Sequence, residues 1–565
     1  MNTDRSIIGR QADIAPTAIA NNIGTTVNIT PNLPQYFVFS NSSLYSNKSG
    51  PSREIFAPRV SRTEVFHRRL EELDGVQDEV HAVERRQDAS VQLFITANTC
   101  LQPSNSTASD SGIYAPQLHM WISTTSSNKN PGPSKTSGAT EIVFDNGFAN
   151  YTLNATSDVY IGIHAPNSTS YTSATYSVQI AGSIDAPYHS YFYSNANPTP
   201  NLHLIDSDTY SALLVTDNLT SSVSDPSYNT WMGLSNPPFD AFVFNSNNTA
   251  IQGLSNSYCA LQMLSSAQGL KTAKSMSNIT EGNLPKEQFY VTGLNGSSTY
   301  YGYTVLANKS TSSTGVIGGG GSVWQNMTFS TQSDGTCSVI YNLSFCTTVA
   351  YAVPGAYNTG KFPNAASLAT WYDNYTQSAY QYFELAMQQI PCEIEDDSQY
   401  SLAVNCDDCR AAYKAWLCSV SIPRCMDYTS TLPWLQERNV LQAFPNGTSL
   451  PSSLTSVAQN ALWWNSSRNP EIDSVIAPGP YKEILPCDDL CNGMVQACPA
   501  ALGFACPLPG QFGFEHAYGQ RPNETNKGNV TCSYPGAVYG VSIAGRFGIE
   551  WPLGVIVLLV WLSLI

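Results

Sequence analysis

The sequence predicts a multidomain chain: an all-β N-terminal part made of two sandwich-like domains, followed by an α-helical, disulfide-rich domain. Three observations predict it. Between residues 90 and 333, short runs of alternating apolar residues are separated by Asn, Gly, Pro and Ser, the period of half-buried strands. After residue 337 the apolar spacing changes to threes and fours, the helical period. Twelve of the fourteen cysteines then fall between Cys337 and Cys532, a density typical of stapled secreted domains. At 565 residues the chain has room for three or four such units.

The elements divide the chain at 1–89, 90–185, 186–335, 336–535 and 536–565. The first segment holds one strand candidate, "YFVFS" (Tyr36 to Ser40), and one charged amphipathic helix over 61–86, where Phe66, Leu70, Leu73, Val76, Val80 and Val83 recur at helical spacing. That helix ends at Arg85-Arg86, a charged helix end or a dibasic processing site. Residues 90–185 carry "VQLFITANTC", "QLHMWIST", "TEIVFDN", "ANYTLNAT", "VYIGIHAP" and "YSVQIAG", the strands of a β-sandwich. His119 and His164 lie inside these patterns and read as structural. In 186–335, Leu294 precedes Tyr300 by six residues within "FYVTGLNGSSTYYGYTVLANKS". This resembles the corner between strands E and F of a fibronectin type III domain, where the leucine enters the core and the tyrosine hydroxyl bonds back to the backbone. "STGVIGGGGSVW" reads as a flexible loop; it lacks the Lys-Ser/Thr of a phosphate-binding loop. In 336–535, "SLATWYDNYTQSAYQYFELAMQQI" gathers Trp371, Tyr375, Tyr382, Phe383 and Met387 near one helical face, and Cys409 to Cys418 reads as a helix with Ala412, Tyr413, Trp416 and Leu417 inward. "PCDDLCNGMVQACP" opens a third helix with a proline and two aspartates.

Only 12% of residues are charged, and 19 Asn-x-Ser/Thr sequons stand in the sequence. They begin at Asn28, Asn41, Asn47, Asn105, Asn150, Asn154, Asn167, Asn218, Asn247, Asn278, Asn295, Asn308, Asn326, Asn342, Asn374, Asn446, Asn465, Asn523 and Asn529, and they predict a glycoprotein. A net charge of −16 argues against nucleic acid. An even, clustered cysteine set predicts disulfides in an oxidising compartment. The zinc alternative rests on one Cys-x-x-Cys, Cys406 to Cys409, with only His516 nearby. No nucleophile–base constellation is read, so neither an enzyme nor a cofactor is expected. The opening residues carry no apolar run, and with so many sequons a cleaved leader is expected upstream of this gene model. The C-terminal "PLGVIVLLVWLSLI", after the small residues of "YGVSIAG", reads as a lipid-anchor signal or a tilted membrane helix.

The cysteine spacing resembles the frizzled-type cysteine-rich domain. Cys409, Cys418 and Cys425 match its C-x8-C-x6-C, with Leu before the second cysteine, and Cys487, Cys491 and Cys498 match its PC-x3-LC-x6-C. Cys337 and Cys346 fit the first pair, Cys506 and Cys532 the last two, Cys392 and Cys406 are extra, and some sixty residues are inserted between Cys425 and Cys487. Almost the whole chain, on "ANTCLQP", "NPGPSK", "QYSLAVNCDDCRAAYKAWLCSVSIPRC", "PGPYKEILPCDDLCNGMVQACPAALGFACP" and "VTCSYPGA", resembles the fungal stretch-activated calcium-channel component, the regulatory subunit of the fungal high-affinity calcium channel. The first resemblance implies the pairs Cys337–Cys425, Cys346–Cys418, Cys409–Cys498, Cys487–Cys532 and Cys491–Cys506, with Cys392–Cys406 as an extra bridge and Cys100–Cys259 left by elimination. The second implies a pore-forming calcium-channel α-subunit as partner and a place on the extracellular face of the plasma membrane, with the endoplasmic reticulum as a further location. Few sequons fall in the first cysteine cluster, so its charged residues Asp407, Asp408, Arg410, Lys414 and Arg424 are the expected exposed contact face. A ligand- or lipid-binding receptor module and a structural wall glycoprotein are the alternative readings.

Overall fold

The computed structural model describes residues 14–31, 33–45, 90–103, 114–166, 175–193, 201–280, 282–307, 320–355, 361–392, 400–401, 403–459, 461–521 and 529–537. The charged helix expected over 61–86, the dibasic pair, most of the glycine-rich loop and the C-terminal tail lie outside them.

The first sandwich has two facing sheets. One runs in the order β1 (Thr17–Ile19), β3 (Gln35–Phe39), β8 (Val159–His164), β5 (His119–Ser123), β6 (Ala139–Val143). The other runs β2 (Thr25–Ile29), β9 (Tyr176–Ser183), β4 (Val91–Leu101), β7 (Phe148–Ala155). The sequence reading starts this domain at residue 90 and gives the preceding segment one strand. The structure corrects it: three early strands belong to the sandwich, β1 pairing with β3, β3 with β8 and β2 with β9. Ile29, Phe37 and Phe39 are fully buried between the sheets with Ile95, Ile161 and Ile180, so the core closes only with their side chains. Strands of three to five residues between prolines carry too little alternation to be read locally. The short helix α1 (Asn41–Leu44) follows β3.

The second sandwich pairs β10 (Ser190–Phe192), β17 (Ser322–Trp324), β16 (Thr299–Leu306) and β13 (Phe239–Asn245), with β18 (Met327–Ser330) also on β16, against β11 (Leu202–Ser207), β12 (Ser211–Thr216), β15 (Lys286–Thr292) and β14 (Lys271–Ser277). The expected corner is present: Leu294 is buried, and the Asn295 N–H donates to the Tyr300 hydroxyl at 2.7 Å. Two helices are additions to the strand reading, α2 (Tyr228–Met232) and α3 (Tyr258–Ser266). The Ser257 side chain caps α3, and the helix packs across β4 of the first sandwich.

The third region mixes helices with small sheets, where the sequence reading has helices alone. A hairpin of β19 (Cys337–Ile340) and β20 (Tyr351–Pro354) leads to α4 (Ala365–Met387) and α5 (Cys406–Ser421). A sheet of β21 (Arg424–Met426), β23 (Tyr481–Ile484) and β22 (Leu435–Arg438) precedes α8 (Asp488–Ala497). Strands of three or four residues fall below the length that periodicity can register. Both long helices open on a capping box, Asn364 with Ser367 and Asn405 with Asp408. Helix α5 stops at Ile422, before Pro423, which cannot continue it. The insertion between the cysteine clusters folds α6 (Ser452–Ala458) and α7 (Leu462–Asn465) around a small core of Tyr428, Val440, Ala458, Phe444 and Trp464.

Candidate partner-binding surface

Six disulfides order this region, and a seventh joins the two sandwiches. Cys409–Cys498 ties α5 to the end of α8, and Cys491–Cys506 ties α8 to the following loop. Cys346–Cys418 and Cys337–Cys425 fasten the hairpin region to α5 and β21. Cys487–Cys532 closes the C-terminal part, and Cys392–Cys406 links the end of α4 to the start of α5. Cys100–Cys259 crosses between the two sandwiches, from β4 to α3. Under these bridges lies an aromatic stack. Phe383 of α4 lies flat on Tyr413 of α5, ring centroids 3.8 Å apart, and Phe504 covers Tyr413 at 5.6 Å. Leu417 is buried, and the Trp416 indole N–H donates to the Tyr518 hydroxyl at 3.0 Å.

The outer side of α4 and α5 is set by that packing. Asp407 is exposed, and its carboxylate accepts from Arg410 at 2.9 Å; Arg410 also reaches Glu384 of α4 at 3.4 Å. Asp408 faces solvent while closing the helix cap. Lys414 is half-buried, its ammonium 4.4 Å above the Phe345 ring. Tyr382 is 75% exposed and Leu385 58%, although the sequence reading puts Tyr382 on the buried stripe. One residue away, Phe383 takes the inward position, and at 100° per residue the two cannot share it. The result is a charged triad along the contact of α4 and α5, with exposed Leu385 and Tyr382 farther round α4. Tyr382, Leu385 and Glu384 are additions to the expected face, and helical spacing alone does not tell which edge of an aromatic stripe faces out.

Arg424 is the correction. It is expected at the surface but is fully buried, its Nε 2.8 Å from Asp206 of β11 and its Nη2 2.8 Å from the Ile205 carbonyl. Residue 424 sits on β21 at the seam with the second sandwich, where a guanidinium survives burial only by pairing. Asp206 also accepts the Ala352 N–H, and Asp208 accepts the Val339 N–H at 2.8 Å. Desolvation pushes the Asp208 carboxyl up, against the hydrogen bonds it accepts from Ser211, Val339 and Tyr210. The seam is therefore built from carboxylates on β11 and just past its end, Asp206 and Asp208, gripping the backbone of the next domain. A second buried acid, Glu483 of β23, is held between Arg438 at 2.6 Å and Arg468 at 2.8 Å. Burial pushes its carboxyl up, and the two guanidinium groups outweigh that and leave it below the ordinary value.

Fourteen of the sequon asparagines lie in the described residues; eleven are exposed and Asn278, Asn326 and Asn465 half-buried. Asn47, Asn105, Asn167, Asn308 and Asn523 lie outside them. No sequon begins in the 71 residues between Asn374 and Asn446, the stretch that forms the end of α4, all of α5 and the charged triad. His119 pairs with Glu141 at 2.6 Å, and His164 bonds the Pro131 carbonyl at 3.1 Å. His516 bonds Gln436 at 2.8 Å and stacks on Trp463.

A family model described as "Stretch-activated Ca2+-permeable channel component" matches residues 92–538. The chain is 38% identical to the stretch-activated cation channel yam8 of Schizosaccharomyces pombe over 388 residues, 68% of this chain and 69% of that protein. It is 32% identical to the stretch-activated cation channel MID1 of Saccharomyces cerevisiae over 54% of each chain, and 25% identical to that of Cryptococcus neoformans over 72% of this chain and 68% of the other.

Proposed function

The chain belongs to the family of stretch-activated Ca2+-permeable channel components, and we propose that it acts there as the accessory subunit of a pore-forming calcium-channel α-subunit, supporting calcium influx. The observation that carries this reading is the outer side of α4 and α5: the triad Asp407, Arg410 and Glu384, with Tyr382 and Leu385 also exposed on α4, free of sequons and held by Cys392–Cys406, Cys409–Cys498 and Cys346–Cys418. A rigid face binds without the ordering cost that a mobile one carries. We infer further that this domain follows the frizzled-type plan, supported by its five shared bridges, one of which, Cys409–Cys498, joins α5 to the end of α8. The relatives are named as stretch-activated cation channels, not as enzymes. On this reading the domains stand on the extracellular side of the plasma membrane, tethered by the C-terminal tail. No helix among the described residues is long and apolar enough to cross a membrane.

The test is a new sequon on the face, made by R410N with A412T. The glycosylated variant should reach the surface in normal amount yet fail to co-purify with the pore subunit, and calcium uptake should fall. A glycan present at residue 410 with complex and uptake intact would move the contact to the sandwiches.

A further inference from the structure

Between the second sandwich and the disulfide-rich domain lies a cleft of about 950 Å³, near the upper end of the roughly 300–1,000 Å³ that ligand sites occupy. Its walls come from β15 (Tyr290, Thr292), from the turn after β19 (Tyr341, Asn342) and from the approach to α4 and its first turns (Phe362 to Asn374). The carboxylates in the wall are already engaged. Asp208 accepts from Ser211, Tyr210 and Val339, and Asp373 accepts the N–H groups of Ser344, Phe345 and Cys346. The cleft therefore presents no charge demanding a counter-ion. Aromatic rings stand in its wall instead: Tyr290 and Tyr341, centroids 4.8 Å apart, and Phe362. Hydroxyl and amide side chains of Thr292, Ser338 and Asn364 stand among them. Aromatic faces interleaved with neutral hydrogen-bonding groups suit a pyranose, whose C–H face is apolar and whose edge is all hydroxyl.

Two lining residues head sequons, Asn342-Leu343-Ser344 and Asn374-Tyr375-Thr376, and both asparagines are exposed. Asn342 directly follows Tyr341 and takes φ +57°, a left-handed turn that asparagine adopts more readily than most residues. We propose that the cleft is a carbohydrate seat filled in cis: the first sugars of an N-glycan on Asn342 lie in it against Tyr341 and Tyr290, closing the seam between the two domains. Tethering supplies the ligand at high effective concentration, so modest stacking suffices to hold it. The same lining would accept a free oligosaccharide, and the experiment separates the two sources. The inference rests on the sequons being used, not on the proposed partner.

The secreted protein is digested under native conditions with an endoglycosidase that cuts within the glycan core, and each site is followed by glycopeptide mass spectrometry. The Asn342 glycan should be released at least about tenfold more slowly than the glycan on Asn154, and equally fast after denaturation, as local protection requires. In Y341A, Asn342 should remain occupied and lose that protection. Equal native rates at Asn342 and Asn154 overturn the proposal. So does an empty Asn342; if protein of that kind binds added oligomannose, the seat takes its sugar from outside the chain.

Discussion

Replacing Arg424 by methionine should unfasten the second sandwich from the disulfide-rich domain. The guanidinium is fully buried, bonded to Asp206 at 2.8 Å and to the Ile205 carbonyl at 2.8 Å, with the Ala537 carbonyl at 3.4 Å. Methionine fills much of the volume but donates nothing, so it leaves an unpaired buried carboxylate and carbonyls that have lost a donor. Breaking one side of such a pair costs about 3–5 kcal/mol. At about 2–4 °C per kcal/mol for a unit of this size, the melting transition should fall by roughly 6–20 °C. Differential scanning calorimetry of the secreted ectodomain would read it. The double variant R424M/D206L removes both charges together and should recover most of the loss, because an apolar pair of similar volume is often as stable as a buried ion pair. An R424M transition within about 1 °C of the parent, or a double variant no better than R424M, would refute the view that this pair holds the seam.

Two further predictions concern the same seam and the sandwich beside it. Asp427 lies partly buried against Asp334, and burial, then the hydrogen bond with Asp334, pushes its carboxyl up to about 6 against the Ser333 donors. Its folded value is thus above its unfolded one, so the stability it gives is complete below about pH 4 and is lost as pH rises through about 6; D427N should flatten that part of the melting-temperature profile, and an unchanged slope would assign it elsewhere. Y300F leaves the Asn295 N–H without its acceptor and should cost about 1–3 kcal/mol in denaturant unfolding, whereas a loss indistinguishable from zero would mean water replaces the hydroxyl.

How much of this was legible in the sequence follows element length and sequence separation. The corner at Leu294 and Tyr300 is legible because the seven residues from Leu294 to Tyr300 contain all of it. Of the three early strands only β3 is legible, as the "YFVFS" run; β1 has three residues, and β2 pairs with β9 more than a hundred residues on, so nothing local says that Ile29 has a sheet to enter. Helix α3 lies unread inside a region of strands; its nine residues sit between turns that hold one glycine each, Gly253 and Gly269, and bury Tyr258, Ala260 and Leu261. The cysteine count could announce bridges but not partners, and only the likeness of spacing to a known domain narrowed them. For the site, charge was a poor guide to exposure. Asp407, Arg410 and Arg424 look alike in a sequence, yet Asp407 is solvated and Arg424 meets a carboxylate 218 residues away. A buried cation is visible only once its anion has been brought to it.

The join between the two sandwiches shows what such assembly does under load. Without Cys100–Cys259 it would rest on the packing of α3 over β4 and a few polar contacts. The Ser257 hydroxyl donates to the Thr99 carbonyl at 2.8 Å, the Asn256 N–H to the Asn146 carbonyl at 3.0 Å, and the Gln117 amide to the Gly253 carbonyl at 2.9 Å. Hydrogen bonds of about 1 kcal/mol each hold a geometry at rest but yield one after another when pulled. The disulfide converts that contact into a covalent strut between β4 and α3, bridging positions 159 residues apart. On the proposed function, a strut there lets displacement of the first sandwich reach the disulfide-rich domain instead of being absorbed by a hinge. Substituting both cysteines, C100S/C259S, should leave secretion and the strands of each sandwich intact, since neither sulfur lies in a sandwich core. Hydrogen exchange should quicken in residues 253–266 and at the end of β4, and calcium uptake on osmotic swelling should fall while the complex still co-purifies. Exchange in 253–266 unchanged from the parent would mean that packing alone fixes the join, and the strut would then carry no load that the packing does not already carry.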